Sequence, residues 1–91
     1  MSGQMDRSTI EANLMAYLIE NSNVPVGDKI APEETLLDSG ILDSLGIAEI
    51  TEYMETEFAI VIDEDEISAT HYGTLKKLTD FCASKLASLA A

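Results

Sequence analysis

The chain has 91 residues, 46% of them hydrophobic, and its 17 Asp and Glu against 5 Lys and Arg give a formal charge of −12 at pH 7. Phosphate backbones and anionic lipid headgroups are bound by basic surfaces, so nucleic acid and membrane are excluded as main ligands, and basic proteins become the natural partners. The length suits one compact domain over residues 1–91, with flexible ends expected at 1–7 and 87–91.

The first element is an amphipathic helix from Ser8 to Glu20. Ile10, Leu14, Tyr17 and Leu18 form its stripe, and Ser8 with Glu11 reads as a capping box at its start. Turn formers follow from Asn21, and Pro25 ends helical geometry. Residues 21–42 then form a long loop. It carries Pro32 and Gly40 but also Ile30, Leu36, Leu37, Ile41 and Leu42, too many apolar side chains for a solvated linker, so it should pack along the helices.

From Ser44 to Phe58 the residues Ile47, Ile50, Met54 and Phe58 share one narrow arc, with Glu49, Glu52 and Glu55 on the other side of a second helix. Ile60, Val61 and Ile62 have no second strand to pair with and read as a buried loop. Asp63 with Glu66 caps a short helix near 64–70, and Thr74 caps a last helix whose face carries Leu75, Leu78, Cys82, Leu86 and Leu89. The expected fold is all-α: a four-helix bundle with a short third helix and a long loop between helices 1 and 2.

Catalytic machinery is hard to assemble from these residues. A serine nucleophile needs a base and an orienting group, yet there is one histidine, His71, beside a helix cap and most simply a surface or partly packed loop residue. Asp63-Glu64-Asp65-Glu66 resembles the opening of a calcium loop, but its sixth position is Ser68 and its twelfth Thr74, so no EF-hand is expected. Cys82 lies on an apolar stripe without a cationic neighbour, and as the single cysteine it excludes an internal disulfide and a Cys-based zinc cage. The chain is not expected to be an enzyme. No apolar run approaches the roughly 20 residues of a bilayer span, and MSGQMDRS lacks a signal-peptide layout, so a cytoplasmic monomer is expected.

Charge is unevenly placed. From Ile30 to Leu75 there are 12 acidic residues and no Lys or Arg. Like-signed neighbours cost stability and should raise one another's pKa, so mild acidification is expected to stabilise the fold. A basic partner would relieve the same repulsion.

Within that acidic stretch the run Leu36-Leu37-Asp38-Ser39-Gly40-Ile41-Leu42-Asp43-Ser44-Leu45 precedes the second helix, with Phe58-Ala59-Ile60-Val61-Ile62 after it. Over residues 8–86 this arrangement resembles the acyl, peptidyl and D-alanyl carrier proteins. The resemblance implies that Ser44 carries 4′-phosphopantetheine through a phosphodiester, making the chain a phosphoprotein whose arm holds an acyl or aminoacyl group as a thioester. A phosphopantetheinyl transferase would load it, and an adenylating ligase or acyltransferase and downstream biosynthetic enzymes would follow as partners. Asp43 is placed to cap the helix, with Ser44 as its first residue. Leu45 falls on the side of Glu49 and Glu52, and with Asp43, Ala48 and Glu55 these make the expected partner-binding face. Gly46 after the Asp-Ser-Leu triplet is similar to D-alanyl carriers and stand-alone carriers of nonribosomal-peptide type. This favours a specialised or aminoacyl pathway, the alternatives being a fatty-acid-synthesis carrier and an unmodified acidic adaptor for a basic partner.

Overall fold

A computed structural model describes residues 6–90, the side chain of Ala90 excepted. The elements are α1 (Arg7–Asn21), α2 (Ser44–Phe58), a 3-10 turn (Glu64–Glu66), α3 (Ala69–Tyr72) and α4 (Leu75–Ala90). All are helical, as the periodicity predicts, and the domain measures 37 × 28 × 20 Å. The expectations for residues 1–5 and 91 lie outside the described residues.

α1 begins two residues before the predicted capping box. Its cap is Asp6, whose carboxylate accepts from the Thr9 N–H at 2.9 Å. Asp6 satisfies a free first-turn donor and leaves Ser8 inside the helix. Ile10, Leu14 and Leu18 are buried, while Tyr17 is half-buried and stacks on Tyr53 with ring centroids 4.3 Å apart. α1 packs chiefly on α4. There Leu75, Leu78, Thr79, Phe81 and Cys82 are buried. The predicted α4 stripe ends early: Leu86 is half-buried and Leu89 is 62% exposed.

The predicted short helix at 64–70 is two pieces. Asp63 and Glu66 close a capping box on the 3-10 turn, and α3 starts separately after Ser68, delivering the fully buried Tyr72 to the core. The Tyr72 hydroxyl lies 2.6 Å from Thr51 Oγ1, joining α3 to α2. The segment after α2 also departs from a uniformly buried loop: Ile60 and Ile62 point inward at 3% and 8% exposure, whereas Val61 is 72% exposed. Extended backbone alternates its side chains, and no neighbouring strand covers the outer one.

The long loop, 22–43, is part of the core. Ile30, Leu36, Ile41 and Leu42 are buried, and burial of each large aliphatic contributes about 2 kcal/mol. Its backbone is tied to the α3–α4 junction: the Leu36 N–H donates to the Gly73 carbonyl at 2.8 Å, the Lys76 N–H donates to the Pro32 carbonyl at 2.8 Å, and Thr35 pairs with Thr74 in an isolated antiparallel bridge. The chain then turns at Gly40, whose φ of 82° is costly for a side-chain-bearing residue. The turn closes when the Leu42 N–H donates to the Leu36 carbonyl at 2.9 Å.

Leu36 therefore behaves as a core residue although it sits in a loop. Leu36→Ala is expected to cost roughly 2–5 kcal/mol in denaturant unfolding, the range for a fully buried leucine in a helix. A cost below about 0.5 kcal/mol, typical of surface positions, would contradict this packing.

Candidate functional site

The loop's anchoring delivers Asp43 and Ser44 to one end of α2. Asp43 has extended backbone, and its carboxylate accepts from the Gly46 N–H at 2.7 Å while its carbonyl accepts from the Ile47 N–H at 2.8 Å. It is the predicted N-cap. Its other carboxylate oxygen accepts from the Asn23 side-chain amide at 3.0 Å. The Gly46 and Asn23 donors, in that order, hold the Asp43 carboxyl below the usual carboxylate range. Asn23 was invisible as a site residue in the sequence, since no local spacing links it to a cap 20 residues away.

Ser44 is the first residue of α2 and is exposed. Among the described residues its hydroxyl has no hydrogen-bond partner, and it stands at the positive end of the helix, where the Gly46 N–H is engaged by the cap. Gly46 has a packing reason: a Cβ there would lie 3.2 Å from the Asp43 carboxylate and 3.4 Å from Leu42. Ser39, the other serine of the run, is turned back into its own loop, its hydroxyl 3.4 Å from both the Leu36 carbonyl and the Ile41 N–H.

Beyond Ser44, Leu45 is 64% exposed, and Ala48, Glu49 and Glu52 are exposed along the same helix. Glu55, expected on that face, is half-buried, and its carboxylate accepts the Ile62 N–H at 2.9 Å. Its reach toward this orphan donor at the end of the helix draws it away from solvent. The ion pairs of the described residues lie elsewhere: Arg7 and Lys76 on Asp80, and Lys85 on Glu66. Among the described residues the acidic side chains of α2 make no ion pair.

The remaining reactive side chains are built into the packing. His71 stacks on Phe81 with centroids 4.3 Å apart, in α3 rather than in a loop. Cys82 is fully buried, with its sulfur 3.2 Å from that of Met54, and burial pushes its thiol up to about 12. Among the described residues no three His, Cys, Asp or Glu side chains gather as a metal site, and no helix is long and apolar enough to cross a membrane.

The Ser44 hydroxyl thus stands exposed and unbonded at the start of a capped helix. In a comparison with protein families, the model for the phosphopantetheine attachment site matches residues 13–82. The chain belongs to this family. It is a carrier protein of the kind that bears a covalent 4′-phosphopantetheine. Such domains are generally not catalysts; they work with a phosphopantetheinyl transferase and biosynthetic enzymes. No curated protein matches the chain.

Four carboxylates depart from the expectation that like charges raise one another's pKa. Asp6, Asp43, Glu66 and Asp80 are all held low, each by hydrogen bonds to its charged form. Local donors outweigh diffuse repulsion at these sites. A lowered folded-state pKa gives stability that is complete above the ordinary values of 3.8 for Asp and 4.5 for Glu, and that is lost as pH falls through the folded-state values. Melting temperature followed by circular dichroism is expected to fall below about pH 4, and Asp43→Ala should shrink that fall. A melting temperature that rises as the pH is lowered from 7 to 4 would restore the repulsion-dominated view.

Proposed function

We propose that Ser44 is the attachment residue, and that the chain is a discrete carrier holding an acyl or aminoacyl group as a thioester on the arm and passing it between enzymes. The observation that carries this reading is the pairing of a free Ser44 hydroxyl with a cap that occupies Asp43, in a chain of the phosphopantetheine attachment family. The residues fit the group. The helix dipole tolerates a phosphodiester there, and Asn23 and Gly46 hold the Asp43 carboxylate in the cap. When bound, the arm supplies a thiol for thioester chemistry. Ser44 has no general base beside it, so the transferase must take up its proton.

Within the family we favour a short or aminoacyl cargo over a fatty-acid-synthesis role. The recess beside Gly46, between α1 and α2, has a volume of about 10 Å³, no more than one water needs and far short of an alkyl chain. The Asp-Ser-Leu-Gly order points the same way. A cytoplasmic location and a monomeric state complete the reading.

Intact mass after incubation with a broad-specificity phosphopantetheinyl transferase and coenzyme A is expected to show one added arm. Ser44→Ala should abolish the addition with helical circular dichroism unchanged, and Ser39→Ala should leave it intact. Addition that survives Ser44→Ala would refute the assignment, and a wild-type chain that never gains mass would leave the acidic adaptor as the better reading.

The exposed Leu45, Ala48, Glu49 and Glu52 form the proposed docking face, with Asp43 at its edge. The Glu55 carboxylate contributes from behind by holding the 59–63 loop. The double reversal Glu49→Lys with Glu52→Lys is expected to slow loading about tenfold at low salt and to flatten its salt dependence, because exposed charges act chiefly on the association rate. Loading rates equal to wild type across salt concentrations would move the face elsewhere.

A further inference from the structure

Asn23 follows α1 directly after its C-cap residue, Ser22, and its backbone is closed into a turn. The Ser22 N–H donates to the Leu18 carbonyl at 2.9 Å, and the Ser22 hydroxyl donates to the Val24 carbonyl at 3.0 Å while accepting from the Val24 N–H at 3.1 Å. Asn23 is thus held on both sides. Its exposed side chain reaches 20 residues along the chain to donate to Asp43 at 3.0 Å. The amide nitrogen must be the end that faces Asp43, because an ionised carboxylate only accepts.

Asp43 needs two donors to keep one orientation. The terminal torsion of a carboxylate is broad and two-fold, so a single bond from the Gly46 N–H leaves the group free to swivel about it. The Asn23 amide takes the second oxygen and fixes the plane. It also ties the end of α1 to the start of α2. Among the described residues the other side-chain hydrogen bond between these two parts of the chain, from the Tyr53 hydroxyl to the Asn13 carbonyl, is long at 3.5 Å.

We propose that Asn23 is a positioning residue for the loading of Ser44, an inference that rests on the reading of Ser44 as the attachment residue. In that reaction the Ser44 Oγ bonds to the pantetheine-bearing phosphorus of coenzyme A, the phosphoanhydride bond breaks, adenosine 3′,5′-bisphosphate leaves and the hydroxyl proton passes to the transferase. Asn23 bonds to Asp43 and not to Ser44. It acts through the cap, which sets where the first turn of α2 stands and the Ser44 hydroxyl with it, and misplacing a reacting atom by about 1 Å can cost about a hundredfold in rate. Because the Asn23–Asp43 bond is exposed, its loss should cost little stability and fall on the reaction instead.

The test loads the full chain and its variants with a phosphopantetheinyl transferase and coenzyme A. Asn23→Ala is expected to lower kcat about fivefold with KM little changed, at a helical circular dichroism and melting temperature near those of wild type. By NMR titration the Asp43 carboxyl should protonate at higher pH in Asn23→Ala than in wild type, because the amide stabilises its charged form. Asn23→Gln, which keeps the donor, should recover part of the rate. Asn23→Ala should add no further loss to an Asp43→Ala chain, since a residue acting through Asp43 then has nothing to act on. A raised KM at unchanged kcat would put Asn23 in contact with the transferase and overturn the proposal. Wild-type loading by Asn23→Ala, or an Asp43 titration that does not move, would also overturn it, and both leave the Ser44 assignment standing. A wild-type chain that gains no mass would overturn the Ser44 assignment and the role of Asn23 with it.

Discussion

The start of α2 depends on a hydrogen bond far from it in sequence, the one from the Leu36 N–H to the Gly73 carbonyl. Ordering a loop of this length carries a large entropic cost, and buried leucines and isoleucines offset it only if their backbone polar groups also find partners. Pro32, Thr35 and Leu36 find theirs at the α3–α4 junction. Once Leu36 is fixed, the Leu42 N–H can close on its carbonyl, and Asp43 arrives with extended backbone, ready to cap. Ser44 is left exposed while Leu36, Ile41 and Leu42 before it are buried.

That arrangement suits a residue that is acted upon. A catalytic serine is surrounded by groups that take its proton and steady a developing charge. Ser44 has neither, but it has a position held from several sides, by the cap, by Asn23 and by the loop's own buried residues. On the proposed assignment, the enzyme that modifies Ser44 must bring the chemistry, and what the carrier contributes is a fixed target at the positive end of a helix.

Much of this was legible in the sequence, and the parts that were not share one cause. Local spacing located α2, its Asp43 cap and the exposed Leu45, because helix period and capping act over three or four residues. The apolar content of residues 21–42 showed that the loop packs, but not on what; the Leu36–Gly73 and Thr35–Thr74 contacts span nearly 40 residues. Asn23 and Glu55 were misjudged for the same reason. Asn23 read as a turn former and Glu55 as part of the partner face, and each makes a side-chain hydrogen bond beyond helix spacing, over 20 and 7 residues. The start of α1 differs in kind. Two acceptable caps, Asp6 and Ser8, stand two residues apart, and the Arg7 contact with Asp80 on α4 favours the earlier one.

Charge placement follows a different logic from packing. The chain has 5 basic residues, and three of them, Arg7, Lys76 and Lys85, are in ion pairs on or against α4, two of these sharing Asp80. Exposed pairs of this kind contribute little to stability, so their location is not explained by what they hold together. It is better explained by what they avoid. A cation beside Glu49 or Glu52 would neutralise the field around Ser44 within a Debye length of roughly 8 Å, and with it the steering of a basic partner. Keeping the cations on α1 and α4 leaves the α2 face with its full negative charge. Lys29, which lines a groove along the loop with Glu34, is the one Lys or Arg outside α1 and α4.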